Sequence, residues 1–325
     1  MRDTHKRRKA LDWSGTRRMA IGERTGVVVV NYGSHDLISQ NLGSVEWETL
    51  EDPVVVVVDN YSSDGERTAV AGICARQGWE LVEQANVGFG AGVNAGVARA
   101  ADHGCTVFIL INPDAHATAG ALAELAAHVT DDHLALVGPR IDLPDGRLWF
   151  GGGTVLVSAG RTSTAPGTDA SAPNGWLSGA CLAVHQELWN RLGGFDDEYF
   201  LYWEDVDLSW RATSAGGRLV VRDDVRITHS VGGTQRSEGK SPVYIYYNCR
   251  NRLLFATEHL SRRDQLRWLV RSVGYARAVI YRGGRRSFAR RPFPPLLASV
   301  RGTLGGAIVM AQRISRCRAE LPSAQ

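Results

Sequence analysis

The chain has 325 residues, 44% hydrophobic and 22% charged, which is enough for one large domain or two ordinary ones. This composition excludes a disordered, collagen-like or disulfide-stapled protein. The formal net charge is +3, but the charge is unevenly distributed along the chain. Residues 1–26 carry +5, residues 27–259 carry −14 and residues 260–325 carry +12. The basic ends, rather than the acidic body, are therefore predicted to face a polyanion.

The five cysteines form no CxxC pair, so we expect neither a zinc ribbon nor a disulfide framework, and a reducing, cytoplasmic compartment. Residues 1–26 are basic but lack the apolar run of a secretory signal, and we expect them to be disordered, with Met19 as an alternative start. The most apolar stretch, residues 302–312, is too short to span a bilayer.

The first half of the chain alternates short apolar runs with helical patterns. The runs are Val27 to Val30, Val54 to Val58, Trp79 to Val82 and Val107 to Ile111. Such runs are typical of buried parallel strands in an open α/β sheet, where ligands bind at the carboxyl ends of the strands. Those ends carry Asn31, Asp59 and Asp114.

The remainder of the chain has a different character. Residues 144–175 are rich in Gly, Ser, Thr, Pro and Ala, which predicts a flexible or hairpin-bearing insertion beside the site. From Tyr244 onward the pattern is helical and increasingly rich in arginine. We therefore divide the chain into a basic N-terminal segment (1–26), an α/β domain (27–259) and an Arg-rich helical extension (260–325).

The glycine-rich stretch contains GAGVNA at residues 90–95, which matches the dinucleotide fingerprint of nicotinamide enzymes. It follows the third predicted strand, whereas that fingerprint belongs directly after the first. The competing interpretation is that these glycines only permit tight packing of a helix on the sheet. The neighbouring Asn86 and Asn94 favour a polar ligand instead.

Three further polar residues have open alternatives. Asp59 could form an Asx turn or helix N-cap, or it could bind a base or ribose. Asp114 could cap a helix beginning near Ala119, or it could bind a divalent cation that holds a diphosphate. His229 is either structural or a second ligand of that cation.

The densest cluster is FLYWEDVDLSWR at residues 200–211, with three carboxylates in four positions. On a helix, Asp207 and Arg211 are i, i+4 partners and form a structural ion pair. Asp205 lies off that pair, where it could act as a general base. Glu204 could cap the helix or assist the site.

Seven segments in order carry a resemblance: VVVVNY, VVVVVDNYSSDG, NVGFGAGVNAG, ILINPDA, WLSGACLAVHQELWNRLGGFDDEYFLYWEDVDLSWR, HSVGG and YYNCRNRLLF. From about Val27 to Ala256 the chain resembles family 2 glycosyltransferases of GT-A fold, most closely the bacterial rhamnosyltransferase-type members. The resemblance implies a mostly parallel open sheet flanked by helices, and inverting transfer from a nucleotide-diphosphate sugar such as dTDP-L-rhamnose. The alternatives are a sugar-nucleotide oxidoreductase using NAD and a non-catalytic nucleotide-sugar-binding module.

The resemblance also implies residue roles. Asp205 would be the catalytic base, and Asp114 and His229 would hold Mg²⁺ or Mn²⁺. The implied donor-binding residues are Asn31, Tyr32, Asp59, Asn86, Gly88, Asn94, Asn112 and Arg250. The residues that would stack against or contact sugar are Trp176, Tyr202, Trp203 and Glu204, although large aromatics are more often core. Asn112 stands where many members have Asp, which leaves fewer charged ligands for the metal.

The basic extension has an apolar helical pattern that Arg277 interrupts. Its members are Leu266, Leu269, Val270, Val273 and Ile280. One interpretation is a solvated basic helix that covers the end of the domain. The other is docking on the anionic inner surface of the cell membrane, where a polyprenyl-diphosphate-linked acceptor would be reached. Nucleic acid is excluded as a partner, because no binding motif is present and the body is acidic.

Overall fold

The computed structural model describes residues 23–50, 52–164, 169–230 and 240–319, so most of the predicted N-terminal segment lies outside the described residues. The strands and helices are, in order, β1 (Arg24–Asn31), α1 (His35–Asn41), β2 (Val54–Asp59), α2 (Asp64–Gln77), β3 (Glu80–Glu83), α3 (Phe89–Asp102), β4 (Cys105–Ile111), β5 (Ala115–His116), α4 (Ala119–Asp131), β6 (Ala135–Asp142), β7 (Leu148–Phe150), β8 (Gly153–Leu156), β9 (Arg161–Ser163), β10 (Gly175–Trp176), β11 (Cys181–His185), α5 (Gln186–Leu192), α6 (Glu204–Ser214), β12 (Arg218–His229), α7 (Pro242–His259), α8 (Arg262–Val270), α9 (Ser272–Tyr281), α10 (Arg285–Arg290) and α11 (Phe293–Ala319). Short 3-10 helices lie at Trp47–Thr49 and Asp197–Tyr199.

The main sheet has the strand order β3-β2-β1-β4-β11-β6-β12-β5, with β7 paired to β6. The four predicted apolar runs form β1 to β4, and they pair in parallel. Strand β11 lies antiparallel between β4 and β6. The valines of β1 and β2 are buried because helices cover both faces of the sheet. The predicted open, mostly parallel α/β sheet is confirmed.

The GAGVNA segment lies inside α3, which packs across β1 and β2. Its contacts explain the glycines. A Cβ atom on Gly92 would lie 3.0 Å from Val30 Cγ1, and one on Gly96, directly after the segment, would lie 2.3 Å from Val28 Cγ1. The glycines therefore serve close packing of helix on strand, which confirms the structural interpretation and removes the basis for the nicotinamide alternative.

The insertion carries the predicted hairpin. Strands β8, β9 and β10 form a separate three-stranded sheet, and the preceding β7 pairs with the main sheet. Trp176 lies close against Gly153. A Cβ atom on Gly153 would lie 2.1 Å from Nε1 of the Trp176 indole. The insertion is thereby attached to the segment that leads into β11.

The C-terminal helices share a hydrophobic cluster with the α/β part of the chain. Trp268 in α8 is fully buried beside Phe255 of α7 and Trp203, and the same cluster includes Val155 and Met310. The guanidinium of Arg252 lies inside this cluster and donates to the carbonyl oxygens of Gly160 and Trp268. The division of the chain at residue 260 remains an interpretation from sequence.

Two expectations for this region need correction. The predicted single amphipathic helix is divided at Arg271 into α8 and α9, so Val270 and Val273 are exposed while Ile280 is buried. Among the described residues, one helical segment, Phe293–Ser315, is long and apolar enough to cross a membrane by length and composition. This segment was not predicted from the sequence, because Arg301 and Arg313 interrupt its apolar run.

The four cysteines whose side chains are described are buried free thiols: Cys74, Cys105, Cys181 and Cys249. Burial raises the pKa of the Cys181 thiol to about 12. This agrees with the expectation that the chain has no disulfide framework.

Candidate active site

The carboxyl end of β2 carries a fully compensated carboxylate. Asp59 is completely buried, and it accepts hydrogen bonds from Asn31 Nδ2 at 3.0 Å and from Arg67 Nε at 2.7 Å. Arg67 also donates to the carbonyl of Gln84 and lies over the ring of Tyr61. Asp59 is not the N-cap of α2, because Ser63 has that role. Arg67, which the sequence patterns did not single out, thus fixes the end of β2.

The loop that precedes α3 is joined to the acidic segment around residue 200. Gly88 has a φ of 103°, and a Cβ there would lie 2.4 Å from the carbonyl oxygen of Phe200. The Phe89 N–H donates to that same oxygen at 2.7 Å, and Asn60 Nδ2 donates to the Gly88 carbonyl at 2.7 Å. Only glycine allows this conformation and approach. Asn86 lies at the exposed start of the loop and accepts from the Gly88 N–H.

Two predicted donor residues have different surroundings. The ring of Tyr32 is 55% exposed just beyond β1, so a face remains accessible to a ligand at this edge of the sheet. Asn94 instead donates to the carbonyl of Phe195 and to Asp197, and accepts from the Phe195 N–H. These contacts use the amide of Asn94 to position the segment before residue 200. Its predicted role as a donor ligand remains a prediction.

The segment between the 3-10 helix Asp197–Tyr199 and α6 has a strained backbone. Phe200, Tyr202 and Trp203 have φ values of 39°, 66° and 77°, which non-glycine residues rarely adopt. The side chain of Asn251 holds this turn, because its Nδ2 lies 2.7 to 3.0 Å from the carbonyl oxygens of Tyr199, Leu201 and Tyr202. Asn251 lies in the YYNCRN segment, but its contacts are 50 residues away in sequence, so its role could not be predicted.

Asp205 is the second residue of α6, which follows this turn directly. Its Oδ2 accepts from the Gly179 N–H at 3.0 Å and its Oδ1 accepts from the Val206 N–H at 2.8 Å. Burial raises the pKa of Asp205 to about 6, against the opposing effect of these two N–H groups. The carboxylate is half-buried, ionised at neutral pH and more basic than an ordinary aspartate, as a general base requires.

Glu204 is buried beside Asp205, and burial together with the Asp205 charge raises its pKa well above the usual range. Its Oε2 has no hydrogen-bond partner among the described residues. The predicted Asp207–Arg211 ion pair is confirmed, with Arg211 Nε 2.7 Å from Asp207 Oδ2. Asp207 also contacts His259 Nε2 at 2.6 Å. The three carboxylates therefore have different environments. Asp207 contacts the side chains of Arg211 and His259, whereas the hydrogen bonds to the Asp205 carboxylate come from backbone N–H groups.

Asp114 and His229 meet across the sheet edge, where β12 pairs with β5. Asp114 Oδ1 lies 2.9 Å from His229 Nε2, and both side chains are buried. The helix near Ala119 is capped by Thr118, so Asp114 is not a cap. His229 also lies against the ring of Trp149, a residue that the sequence patterns did not single out.

The Asp114–His229 pair fits one divalent cation. Two ligands at about 2.1 Å from one ion lie roughly 3 Å apart, which matches the observed oxygen–nitrogen separation. His229 Nδ1 is buried and has no hydrogen-bond partner among the described residues. The pair supplies one charged and one neutral ligand, so most of the coordination would come from a bound diphosphate and water.

In the described part of the chain, three other groups of acidic and histidine side chains have suitable spacing for a metal: Glu23 with His133 and His185, Asp207 with Glu258 and His259, and Asp196 with Glu198 and Glu258. In the first, the two imidazole rings stack at 3.6 Å with 13° between their planes. One ion cannot lie in both ring planes, as imidazole ligation requires. In the other two groups, carboxylates are already paired with arginines, Asp207 with Arg211 and both Glu198 and Glu258 with Arg313.

A chain of contacts joins the two halves of the site. Gly179 binds Asp205, and the neighbouring Ala180 carbonyl accepts from the Asn112 N–H at 2.9 Å, two residues before Asp114. Asp205 and the Asp114–His229 pair are therefore connected through the loop before β11 and the end of β4. The side chain of Asn112 is half-buried at this junction.

The predicted aromatic and arginine contacts are only partly supported. Trp203 is 4% exposed and packs against Phe255 and Trp268, so its predicted stacking on a sugar is wrong. Tyr202 and Trp176 are half-buried, and their stacking against a sugar remains a prediction. Arg250 donates to the carbonyl of Glu198 at 2.9 Å, which positions the turn before α6; its donor role remains a prediction.

Comparison with known proteins shows what the chain is similar to. Residues 26–161 match the model described as Glycosyl transferase family 2. An N-acetylglucosaminyl-diphospho-decaprenol L-rhamnosyltransferase of Mycobacterium tuberculosis is 29% identical over 297 residues, covering 82% of this chain and 95% of that protein.

Two solved structures are similar in fold. A mannosyltransferase from Pyrobaculum calidifontis, in complex with GDP-Man and Mn²⁺, has a TM-score of 0.56 at 17% identity and covers 97% of this chain and 91% of that one. Staphylococcus aureus TarS 1–349, in complex with UDP, has a TM-score of 0.52 at 18% identity and covers 79% of this chain and 74% of that one. The α/β fold is therefore GT-A-like, with the site at the carboxyl edge of its sheet.

Proposed function

We propose that this chain is a family 2 glycosyltransferase that transfers L-rhamnose from dTDP-L-rhamnose to a hydroxyl of a polyprenyl-diphosphate-linked saccharide, with inversion at the anomeric carbon. The N-acetylglucosaminyl-diphospho-decaprenol L-rhamnosyltransferase of Mycobacterium tuberculosis, which this chain matches over most of its length, supports the transferred sugar and the acceptor class. We further propose that the protein works in the cytoplasm, at the inner face of the membrane that holds such an acceptor.

The observation that carries the proposal is the position of Asp205. Its two oxygens are held by the N–H groups of Gly179 and Val206, at the start of a helix that follows a strained turn. In the proposed reaction, the acceptor hydroxyl gives its proton to Asp205 while its oxygen attacks the anomeric carbon from the face opposite the diphosphate. A single displacement of this kind inverts the configuration.

The donor occupies the carboxyl edge of β1, β2 and β4 in this proposal. The accessible ring of Tyr32 stacks on the base, while the buried Asp59, paired with Asn31 and Arg67, holds the end of β2 in place beside it. The Gly88 loop lies between the donor and the Phe200 turn, so that donor and acceptor regions are held in one arrangement.

Asp114 and His229 would hold a Mg²⁺ or Mn²⁺ ion at the diphosphate. When bound, such an ion neutralises the negative charge that gathers on the leaving diphosphate. The separation of their ligand atoms supports such a site, and within the described part of the chain no third charged side chain is seen in contact with them, so its remaining ligands would come from the substrate.

A panel of nucleotide sugars tests this proposal. Purified protein would be incubated with dTDP-L-rhamnose, UDP-galactofuranose, UDP-N-acetylglucosamine or GDP-mannose, and with a polyprenyl-diphospho-N-acetylglucosamine acceptor. We expect transfer from dTDP-L-rhamnose only, with inverted configuration by NMR, loss of activity in EDTA and recovery with Mg²⁺ or Mn²⁺.

Transfer of another sugar would overturn the donor assignment and leave the enzyme class intact. Binding of a nucleotide sugar without transfer to any acceptor would favour the non-catalytic binding module. Full activity in EDTA would exclude Asp114 and His229 as a metal site.

A further inference from the structure

Helix α11 has two apolar faces, of which one is buried. Ala298, Gly302, Gly306 and Met310 recur every fourth residue, and they are all buried on the face that packs along α7. A Cβ on Gly302 would lie 2.3 Å from the carbonyl oxygen of Tyr246. The helix is thereby held closely against α7, in a fixed orientation about its axis.

The other face of α11 is apolar and exposed. Phe293, Leu297, Val300, Leu304 and Ile308 recur at intervals of three or four residues, and their exposure ranges from 51% at Leu297 to 81% at Phe293. We call these five residues the α11 stripe. A continuous row of large apolar side chains on a soluble protein marks an interaction surface.

The charge around the stripe indicates what it contacts. From Gln265 to Ala319 the sequence has twelve arginines and no acidic residue. Arg285, Arg286 and Arg291 are exposed just before the stripe, and Arg301 is exposed within it. A second copy of the chain would bring the same positive charge to the contact, which opposes self-association. Anionic lipid complements this surface, and each basic side chain near such a membrane contributes up to about 1 kcal/mol.

The ion pairs of α11 favour a helix that lies on the membrane rather than one that crosses it. Arg313 contacts Glu198 Oε2 at 2.5 Å and Glu258 Oε1 at 2.7 Å. Insertion of the helix across a bilayer would break both pairs and separate the buried face from α7. A helix with one face packed on its own protein and one face apolar is suited to the membrane interface.

We propose that the α11 stripe and its flanking arginines dock the protein on an anionic bilayer, with α11 parallel to the surface. The proposal rests on the proposed function, since a lipid-linked acceptor requires the site to approach a membrane. Arg313 and Arg250 both contact Glu198, and Asn251 holds the turn that leads to Asp205. Docking of α11 therefore sets the orientation of the base relative to the membrane.

Vesicle sedimentation of the full chain tests the surface. The variant Val300→Glu/Leu304→Glu changes two exposed stripe residues, and Ala75→Glu/Gln77→Glu adds the same charge to exposed positions of α2. We expect wild type and the α2 control to sediment with equimolar phosphatidylglycerol and phosphatidylcholine, and much less with phosphatidylcholine alone. The stripe variant should bind the anionic vesicles at least tenfold more weakly. Its hydrolysis of dTDP-L-rhamnose in solution should match wild type.

Equal binding of wild type and the stripe variant to anionic vesicles would overturn the proposal. The proposal would also be overturned if wild type were a dimer, the stripe variant a monomer, and both bound vesicles equally. The α11 stripe would then join two copies of the chain. Vesicle binding as expected, without transfer from any nucleotide sugar, would leave the docking surface standing and contradict the proposed function.

Discussion

Glu204 and Asp205 are adjacent carboxylates at the start of one helix, and their environments separate their chemistry. Burial raises the pKa of both groups, to about 6 for Asp205 and well above the usual range for Glu204. A pair with separated pKa values can hold one neutral and one ionised carboxyl at neutral pH. Glu204 is therefore the carboxyl whose ionisation the fold opposes more strongly, and Asp205 is the one that we propose as the proton acceptor.

The raised pKa of Asp205 predicts a stability effect. A carboxyl whose folded pKa lies above its ordinary 3.8 makes the fold less stable as the pH rises from about 4 through 6. Asp205→Asn lacks this ionisation, so its free energy of unfolding relative to wild type should increase by about 2 kcal/mol between pH 4 and pH 8. Urea unfolding at the two pH values measures it.

The exposed Asp223→Asn on β12 is the control, and it should show no such change. If the free energies of unfolding of Asp205→Asn and wild type differed by the same amount at both pH values, the fold would not raise the pKa of Asp205.

Single residues were predicted from sequence where the relevant contacts are local. The Asp207–Arg211 pair followed from helical spacing and was found. Arg67 and Asn251 were missed because their partners are carbonyls and carboxylates that only the folded chain brings near. Trp203 was wrongly predicted to stack against a sugar, because the sequence does not show whether an aromatic side chain in a turn faces the site or the core.

At the scale of elements, the turn between the 3-10 helix and α6 is the part that sequence could not describe. Three of its residues have positive φ, and α7 supplies the amide that stabilises it. Strands β1 to β4 were predictable because continuous valine-rich runs indicate buried strands. The backbone of the turn depends on Asn251 and on the Gly88 loop, neither of which has a periodic signal.

The variant Asn251→Ala tests the role of this turn. It leaves three backbone carbonyls without their donor, so we expect a loss of about 1–3 kcal/mol in the free energy of unfolding. Since the turn positions Asp205, kcat should fall while the KM for the donor changes little. Asn248→Ala, on the same helix with its amide donating to Tyr244 of that helix, is the control and should retain kcat. Equal kcat values for the two variants would remove Asn251 from the positioning of the base.

At the scale of the whole molecule, the opposite charges of the body and the C-terminal region belong to one packed structure. The +12 region from residue 260 supplies Trp268, Tyr275, Val279, Ile280, Ala298 and Met310 to a cluster shared with Tyr199 and Phe255. The sequence separated these parts by charge and composition. It could not show that helices on both sides of residue 260 share buried contacts.

Truncation after His259 is therefore expected to unfold the chain rather than to release a soluble catalytic domain. Each large buried apolar side chain contributes about 1.5–3 kcal/mol, and the loss of several approaches the whole stability of a typical protein. Circular dichroism melting and binding of a hydrophobic dye would detect the loss of structure. A truncated chain with a cooperative transition within a few degrees of wild type would contradict this prediction.

The central claim is that Asp205 is the base of an inverting sugar transfer, and steady-state kinetics of Asp205→Asn test it most directly. Donor affinity should stay within about twofold of wild type, while kcat falls by roughly 10² to 10⁴, and wild-type kcat/KM should rise with pH through about 6. Asp223→Asn should behave as wild type. Turnover by Asp205→Asn at the wild-type rate, with the same pH profile, would contradict the account.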